Sequence, residues 1–289
     1  MDHADVRYLE SKRTVDERAR SRRVVERLLA ELPDGPTVLD AGAGTGTTLR
    51  LLLQWGVRDG AYRGVDRSEA LVEHARRTLP ADLAGEYEVR RGEDGAGDDE
   101  EVGEGFEVGG IGARFEVGDA LDLPDGSADL VVAQALLDLV PVVEAMDRIE
   151  GALRPGGLAY LPITFDGVSV FLPDHPDDGA VVDAYHAAID EQPGRNSRAG
   201  RRLISHLGDR DGELLAVGAS DWIVRPRGDG YPADEAYFLG RILDFVEEGV
   251  VGRGVDANDW LAVRRRQLGA AELAYVAHGY DLLYRAPEP

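Results

Sequence analysis

The chain has 289 residues, no cysteine, and 55 acidic against 32 basic side chains, for a net charge of −23. The missing cysteines exclude disulfides, a thiolate nucleophile and cysteine-ligated zinc, and so acidic a surface repels nucleic-acid phosphates and anionic membranes at long range. No run of eighteen apolar residues is long enough to span a bilayer, and Met1-Asp2-His3-Ala4-Asp5 lacks the apolar core of a secretory signal, so a cytoplasmic location is expected.

Lys12 is the only lysine; every other base is arginine. An acidic partner-binding face is one reading of the charge. Adaptation to high salt fits better, because screening removes the self-repulsion while hydrated carboxylates keep the protein soluble. A halophilic source, haloarchaeal or other, is therefore expected.

Residues 1–35 read as a helical lead-in. Val15, Ala19, Val24, Leu28 and Leu29 share one face, and the charges around them, Asp16, Glu17 and Arg20 among them, read as a solvated face. Residues 36–165 form an alternating strand–helix core. Thr37-Val38-Leu39-Asp40-Ala41 is a buried strand that breaks at Gly42-Ala43-Gly44-Thr45-Gly46 and enters a helix at about Thr47. Glycines there let the backbone adopt positive φ and let a ligand approach the main chain. The helix N-terminus behind them offers free N–H groups to a polar or anionic ligand. A nucleotide-like cofactor is expected at this turn. No lysine follows to make a phosphate-binding P-loop, and Thr47 stands where a dinucleotide fingerprint needs its third glycine.

Tyr62-Arg63-Gly64-Val65-Asp66 reads as a second strand ending in an acid, followed by a helix over 68–79 capped by Ser68. Residues 92–112 are rich in glycine and acid and read as a solvated loop or short acidic hairpin, not a metal site. Phe115 to Ala120 reads as the third strand, ending Gly118-Asp119-Ala120, and Asp129 to Leu136 as the fourth. Leu153-Arg154-Pro155-Gly156-Gly157 closes a helix and enters a fifth strand over Leu158–Phe165.

D-x-G-x-G-x-G at 40–46, the acids Asp66 and Asp119, and the L-R-P-G-G turn at 153–157, in this order, resemble the class I S-adenosylmethionine-dependent methyltransferases. The resemblance covers residues 37–165 well and the rest poorly. It implies a doubly wound α/β fold with a mostly parallel seven-stranded sheet and an antiparallel last strand. It also implies S-adenosylmethionine as cofactor. Contacts would come from Asp40, Ala41, Gly42, Gly44 and Gly46 at the first turn, Asp66 at the ribose with Arg67 beside it, Asp119 and Ala120 at the adenine, and Gln134 near the end of the fourth strand. Asp40 either orients the glycine loop or meets the cofactor's amino group. Lys12 or Arg13 is placed to meet the methionine carboxylate.

Residues 166–289 complete the sheet and carry specificity. Helices are expected over 179–191, from about 199 to Leu207, over 232–249 and over 258–269, with a sixth strand over 213–225 and a last strand over 273–285. The roughly forty residues between those two strands are long for a loop and suit a substrate lid. Three residues qualify as a general base, which is needed only when the nucleophile carries a proton. They are Asp138 (or it caps the following helix), Asp166 and His186 (or a packing residue). Arg198, within the arginine-rich stretch 195–202, suits a substrate carboxylate or phosphate. Trp222 and Tyr237 line an apolar wall or fill the lid core. The expected activity is methyl transfer to oxygen, nitrogen or carbon of a small molecule. The rivals are an RNA or protein methyltransferase, a non-catalytic binder of the cofactor, and an NAD-dependent oxidoreductase.

Overall fold

Val38, Leu39, Asp40 and Ala41 are all buried in β1 (Thr37–Ala41), as a strand covered on both faces requires. The computed structural model describes residues 5–91 and 105–288. Around β1 the described strands form one mixed sheet. They are β2 (Gly60–Asp66), β3 (Val89–Arg91), β4 (Phe106–Val108), β5 (Ile111–Val117), β6 (Ala128–Val132), β7 (Leu153–Leu172), β8 (Glu213–Ala219), β9 (Trp222–Val224) and β10 (Ala274–Arg285). The order is β3-β4-β5-β2-β1-β6-β7-β10-β8, with β9 also on β10. Strands β5, β2, β1, β6 and β7 are mutually parallel. β10 runs antiparallel between β7 and β8, as expected of the last strand.

Ten described strands replace the expected seven. Two of the extra strands are β3 and β4, which lengthen the edge beyond β5 as an antiparallel meander. The third arises because the stretch 213–225 breaks at Ser220-Asp221 into β8 and β9. Of the acidic segment read at 92–112, residues 92–104 lie outside the described residues; its end is the β4–β5 hairpin. β6 stops at Val132, four residues before the expected end, and Ala135 takes a positive φ of 47° in the turn that follows. β7 instead runs past Phe165 to Leu172.

The helices are α1 (Val6–Ala19), α2 (Arg22–Glu31), α3 (Thr47–Gln54), α4 (Glu69–Leu83), α5 (Val142–Ala152), α6 (Asp178–Asp190), α7 (Ala199–Gly208), α8 (Glu235–Val250) and α9 (Asn258–Gly269). The lead-in is two helices, broken at Arg20-Ser21. Three apolar clusters hold the layers. One packs α2, α3 and α4 on one sheet face, through Leu28, Leu52 and Leu79. Another packs α5 and α7 on the opposite face, through Met146 and Leu203. The third joins Tyr8 and Val15 of α1 with α6, α8 and α9 over the far ends of β7 and β10. Among the described residues no helix is long and apolar enough to cross a membrane.

Candidate active site

The chain leaves β1 toward β2 on one side and reaches β6 on the other, so the strand order reverses beside β1. Open α/β sheets bind ligands in the crevice at the carboxyl ends of their strands at such a point. A cavity of about 740 Å³ lies there, lined by the glycine turn, the ends of β2, β5 and β6, and helices α1, α6 and α8. This volume is in the usual range for small-molecule sites, about 300–1,000 Å³.

The glycine turn owes its form to two separate demands. At Gly44 φ is +54°, and a Cβ would stand 3.1 Å from Leu9 of α1. Gly46 (φ +81°) caps α3, and a Cβ would come within 2.3 Å of Leu79 and 2.9 Å of Phe115. The first glycine thus keeps the turn's cavity side bare, while the second lets α3 and α4 pack. Asp66 braces the turn: Gly44 N–H donates to its Oδ2 at 3.0 Å and Ser68 N–H to its Oδ1 at 2.9 Å. It remains half-buried on the cavity wall. The Asp119 carboxylate accepts from Leu121 N–H at 2.9 Å in a side-chain turn and also lines the cavity, with Ala120 beside it.

Of the expected cofactor residues, Gly42, Gly44, Asp66, Arg67, Asp119, Ala120 and Gln134 share this wall; Asp40, Ala41 and Gly46 stand behind it. Asp40 is buried under the Tyr62 hydroxyl, which donates to its Oδ2, and burial pushes its carboxyl up to about 6. Its position suits orienting the loop rather than touching a ligand.

The candidate bases separate cleanly. Asp138 lines the cavity, and its buried Oδ1 has no hydrogen-bond partner among the described residues. Burial raises its carboxyl to about 6, against the opposing pull of its own backbone N–H, Lys12 and Arg195. It does not cap α5, whose N-cap is Pro141 with no side-chain bond. Asp166 stands outside the cavity wall. Phe165 pairs with Gly279 and Ser169 with Ala277, so residues 166–168 bulge from β7. The bulge carries Asp166 to α7, where Arg201 donates its backbone N–H at 2.7 Å and its Nε at 2.9 Å. His186 also stands outside, bonded through Nε2 to Ser169 Oγ at 3.1 Å, its basicity lowered by burial. Tyr185 and Ile189 of the same helix face the cavity instead. Arg198 is exposed against Gly167, and Tyr237 lies under the Arg7 guanidinium at 3.8 Å; neither reaches the cavity. Trp222 and Lys12 do reach it, and so does Arg195 of the arginine-rich stretch; Arg13 does not.

The cavity lining also includes the aromatic side chains Tyr8, Phe165, Tyr185, Trp222, Phe245 and Tyr275. Asp16 and Arg20, read from sequence as surface charges, are buried. Asp16 accepts from Gln134 Nε2 at 2.9 Å and Trp222 Nε1 at 2.8 Å, and pairs with Lys12 Nζ at 3.2 Å. Arg20 donates to Gln134 Oε1 and to Tyr160 Oη. The one sequence signal for Asp16 is its i,i+4 spacing from the chain's only lysine.

The chain resembles proteins on several levels. An uncharacterised 37.1 kDa protein in transposon TN4556 of Streptomyces fradiae is 29% identical over 206 residues, 69% of this chain and 49% of that protein. The chain therefore spans about half the length of that relative. A candidate methyltransferase from Bacillus halodurans C-125 shares the fold with a TM-score of 0.53 at 13% identity, covering 92% of this chain and 97% of its own. A SAM-dependent methyltransferase from Methanosarcina mazei aligns with a TM-score of 0.47 at 16% identity, over 91% and 98% of the two chains. The methyltransferase-domain family profile matches residues 12–183, more than half of the chain and all of the glycine-turn wall, so the protein belongs to the methyltransferase-domain family.

Proposed function

We propose that the protein transfers the methyl group of S-adenosylmethionine to a nucleophilic oxygen, nitrogen or carbon of a small molecule. The observation that carries this is one cavity lined both by the glycine turn, Asp66 and Asp119 and by a set of aromatic side chains with Asp138, whose Oδ1 has no partner among the described residues. The residues present fit the cofactor. Each Asp66 oxygen accepts one backbone N–H and keeps a lone pair for a ribose hydroxyl. Leu71 and Leu121 offer apolar surface for a purine, with Asp119 and Ala120 at its edge. Lys12 and Gln134, on the same lining, are the groups assigned to the amino-acid end. When bound, the cofactor supplies a methyl carbon activated by its sulfonium. The protein's part is to hold the acceptor in line with that carbon and, for a nucleophile that carries a proton, to remove it; Asp138 is the side chain placed for that step.

The net charge of −23 disfavours RNA as acceptor, and a cavity of about 740 Å³ is of a size that suits a small molecule. Calorimetric titration in molar KCl with S-adenosylhomocysteine, and separately with NADH, tests the reading. Micromolar binding of the first alone supports it. Tight NADH binding with none of S-adenosylhomocysteine overturns it in favour of an oxidoreductase. Cofactor binding without turnover on any acceptor in a metabolite screen would favour a non-catalytic role.

The composition carries a second expectation, adaptation to high salt. Raising ionic strength from 0.1 to 1 M shortens the screening length from about 10 to about 3 Å, which relieves repulsion among the excess carboxylates. The thermal midpoint therefore rises between 0.1 and 2 M KCl; a flat or falling midpoint discards that origin for the charge.

A further inference from the structure

We infer that Asp16 is a positioning residue that ties the cofactor's amino-acid end to the acceptor wall; this rests on the S-adenosylmethionine reading above. Three donors from three elements converge on one carboxylate that is 2% exposed: Lys12 of α1, Gln134 after β6 and Trp222 of β9. Lys12, Gln134 and Trp222 all line the cavity, and Lys12 Nζ also stands 5.4 Å over the Trp222 ring. Removal of any one donor leaves the other two and a buried charge to rearrange, which makes the three side chains move as a unit.

The helix that carries Asp16 lines the same cavity through Tyr8, Leu9 and Lys12. Leu9 lies over Gly44, and Tyr8 packs on Phe238 and on Phe245, the second of which lines the cavity. A separate anchor fixes its far side: Glu235, fully buried, accepts from Thr14 Oγ1 at 2.7 Å and from Arg18 at 2.7 and 3.0 Å. With Glu235 holding the helix in place, Asp16 is free to set the orientation of the cavity side chains rather than to dock the helix. An amino-acid group bound at Lys12 and Gln134 pulls on Asp16, and Asp16 transmits the pull to the Trp222 indole.

Two ligands separate this role from general loosening, because S-adenosylhomocysteine carries the amino-acid end and adenosine lacks it. In Asp16→Asn the new amide N–H₂ faces donors and Lys12 loses its counter-charge. The dissociation constant for S-adenosylhomocysteine rises at least tenfold, while that for adenosine stays within twofold of the parent protein. In the ¹H–¹⁵N spectrum the Trp222 indole signal, assigned with Trp222→Phe, shifts when the parent protein is saturated with S-adenosylhomocysteine. It shifts neither with adenosine nor in Asp16→Asn. Equal losses for both ligands, or an unchanged affinity for S-adenosylhomocysteine, overturn the inference while leaving the cofactor assignment intact. A folded parent protein that binds neither ligand overturns the cofactor assignment itself. If Asp16→Asn does not fold, Trp222→Phe serves: it deletes one donor only, and it too weakens S-adenosylhomocysteine selectively or the inference fails.

Discussion

Asp138→Asn lowers methyl-transfer turnover by about 10²–10⁴-fold, the usual worth of a positioned proton acceptor, while binding of S-adenosylhomocysteine stays within about threefold. The substitution keeps the shape of the side chain and removes its ability to take a proton. Its Oδ1 is buried on the cavity wall with no partner among the described residues, so the substitution breaks no hydrogen bond at that oxygen. The measurement uses the acceptor found in the metabolite screen. Unchanged turnover would mean that the acceptor arrives already deprotonated or methylates at carbon without a base.

The same carboxylate sets a pH dependence with a definite sign. Burial raises its carboxyl to about 6 in the folded protein, above its ordinary value of 3.8. Turnover needs the ionised form and therefore rises with pH through about 6. Folding responds in the opposite direction. A carboxyl that binds its proton more tightly when folded favours the fold fully below its unfolded pKa, near 4, and that advantage is lost as pH rises through about 6. At pH 7 the charged carboxylate is a net burden, so Asp138→Asn is more stable than the parent by about 1–3 kcal/mol. At pH 4 the difference vanishes. Urea denaturation at the two pH values reads both; equal stability at pH 7 would show that water or a cation relieves the buried charge. Asp40, also raised to about 6 by burial, adds a slope of the same sign to the parent protein.

The glycine turn and the strand-end acids were legible in sequence because their constraints are local. Positive φ at Gly44 and Gly46, and a carboxylate that meets backbone N–H groups two residues on or across the turn, follow from chain chemistry alone. Asp166 and His186 lie off the cavity wall for reasons of phase. Asp166 was expected at a strand end, but β7 continues to Leu172 and the bulge after Phe165 turns the side chain to Arg201. His186 lies one residue from Tyr185, and about 100° of helical rotation points it at Ser169 instead of the cavity. Asp16 was hidden differently. It shares the buried face of α1 with Tyr8, Lys12 and Val15. A reading built on apolar periodicity cannot see a buried face that carries charges satisfied by residues more than a hundred positions away.

Asp66→Ala raises the dissociation constant for S-adenosylhomocysteine by at least about 100-fold, as loss of a charged partner for two hydroxyls implies at about 1.5–3 kcal/mol each. Adenosine loses affinity by the same factor, since both ligands share the ribose; this distinguishes Asp66 from Asp16, whose loss is confined to the ligand with the amino-acid end. The carboxylate has a second duty that the experiment must separate. It accepts Gly44 N–H and Ser68 N–H, so alanine also releases the glycine turn and the approach to α4. That part appears as a stability loss of about 1–2 kcal/mol in the ligand-free protein. Asp66→Asn resolves the two contributions, because its amide oxygen can still accept one of those N–H groups while it loses the charge offered to the hydroxyls. A variant that regains stability but not affinity identifies the carboxylate as a ligand group as well as a brace. Full recovery of affinity in Asp66→Asn would reduce Asp66 to the brace alone and leave the ribose to other groups on the wall.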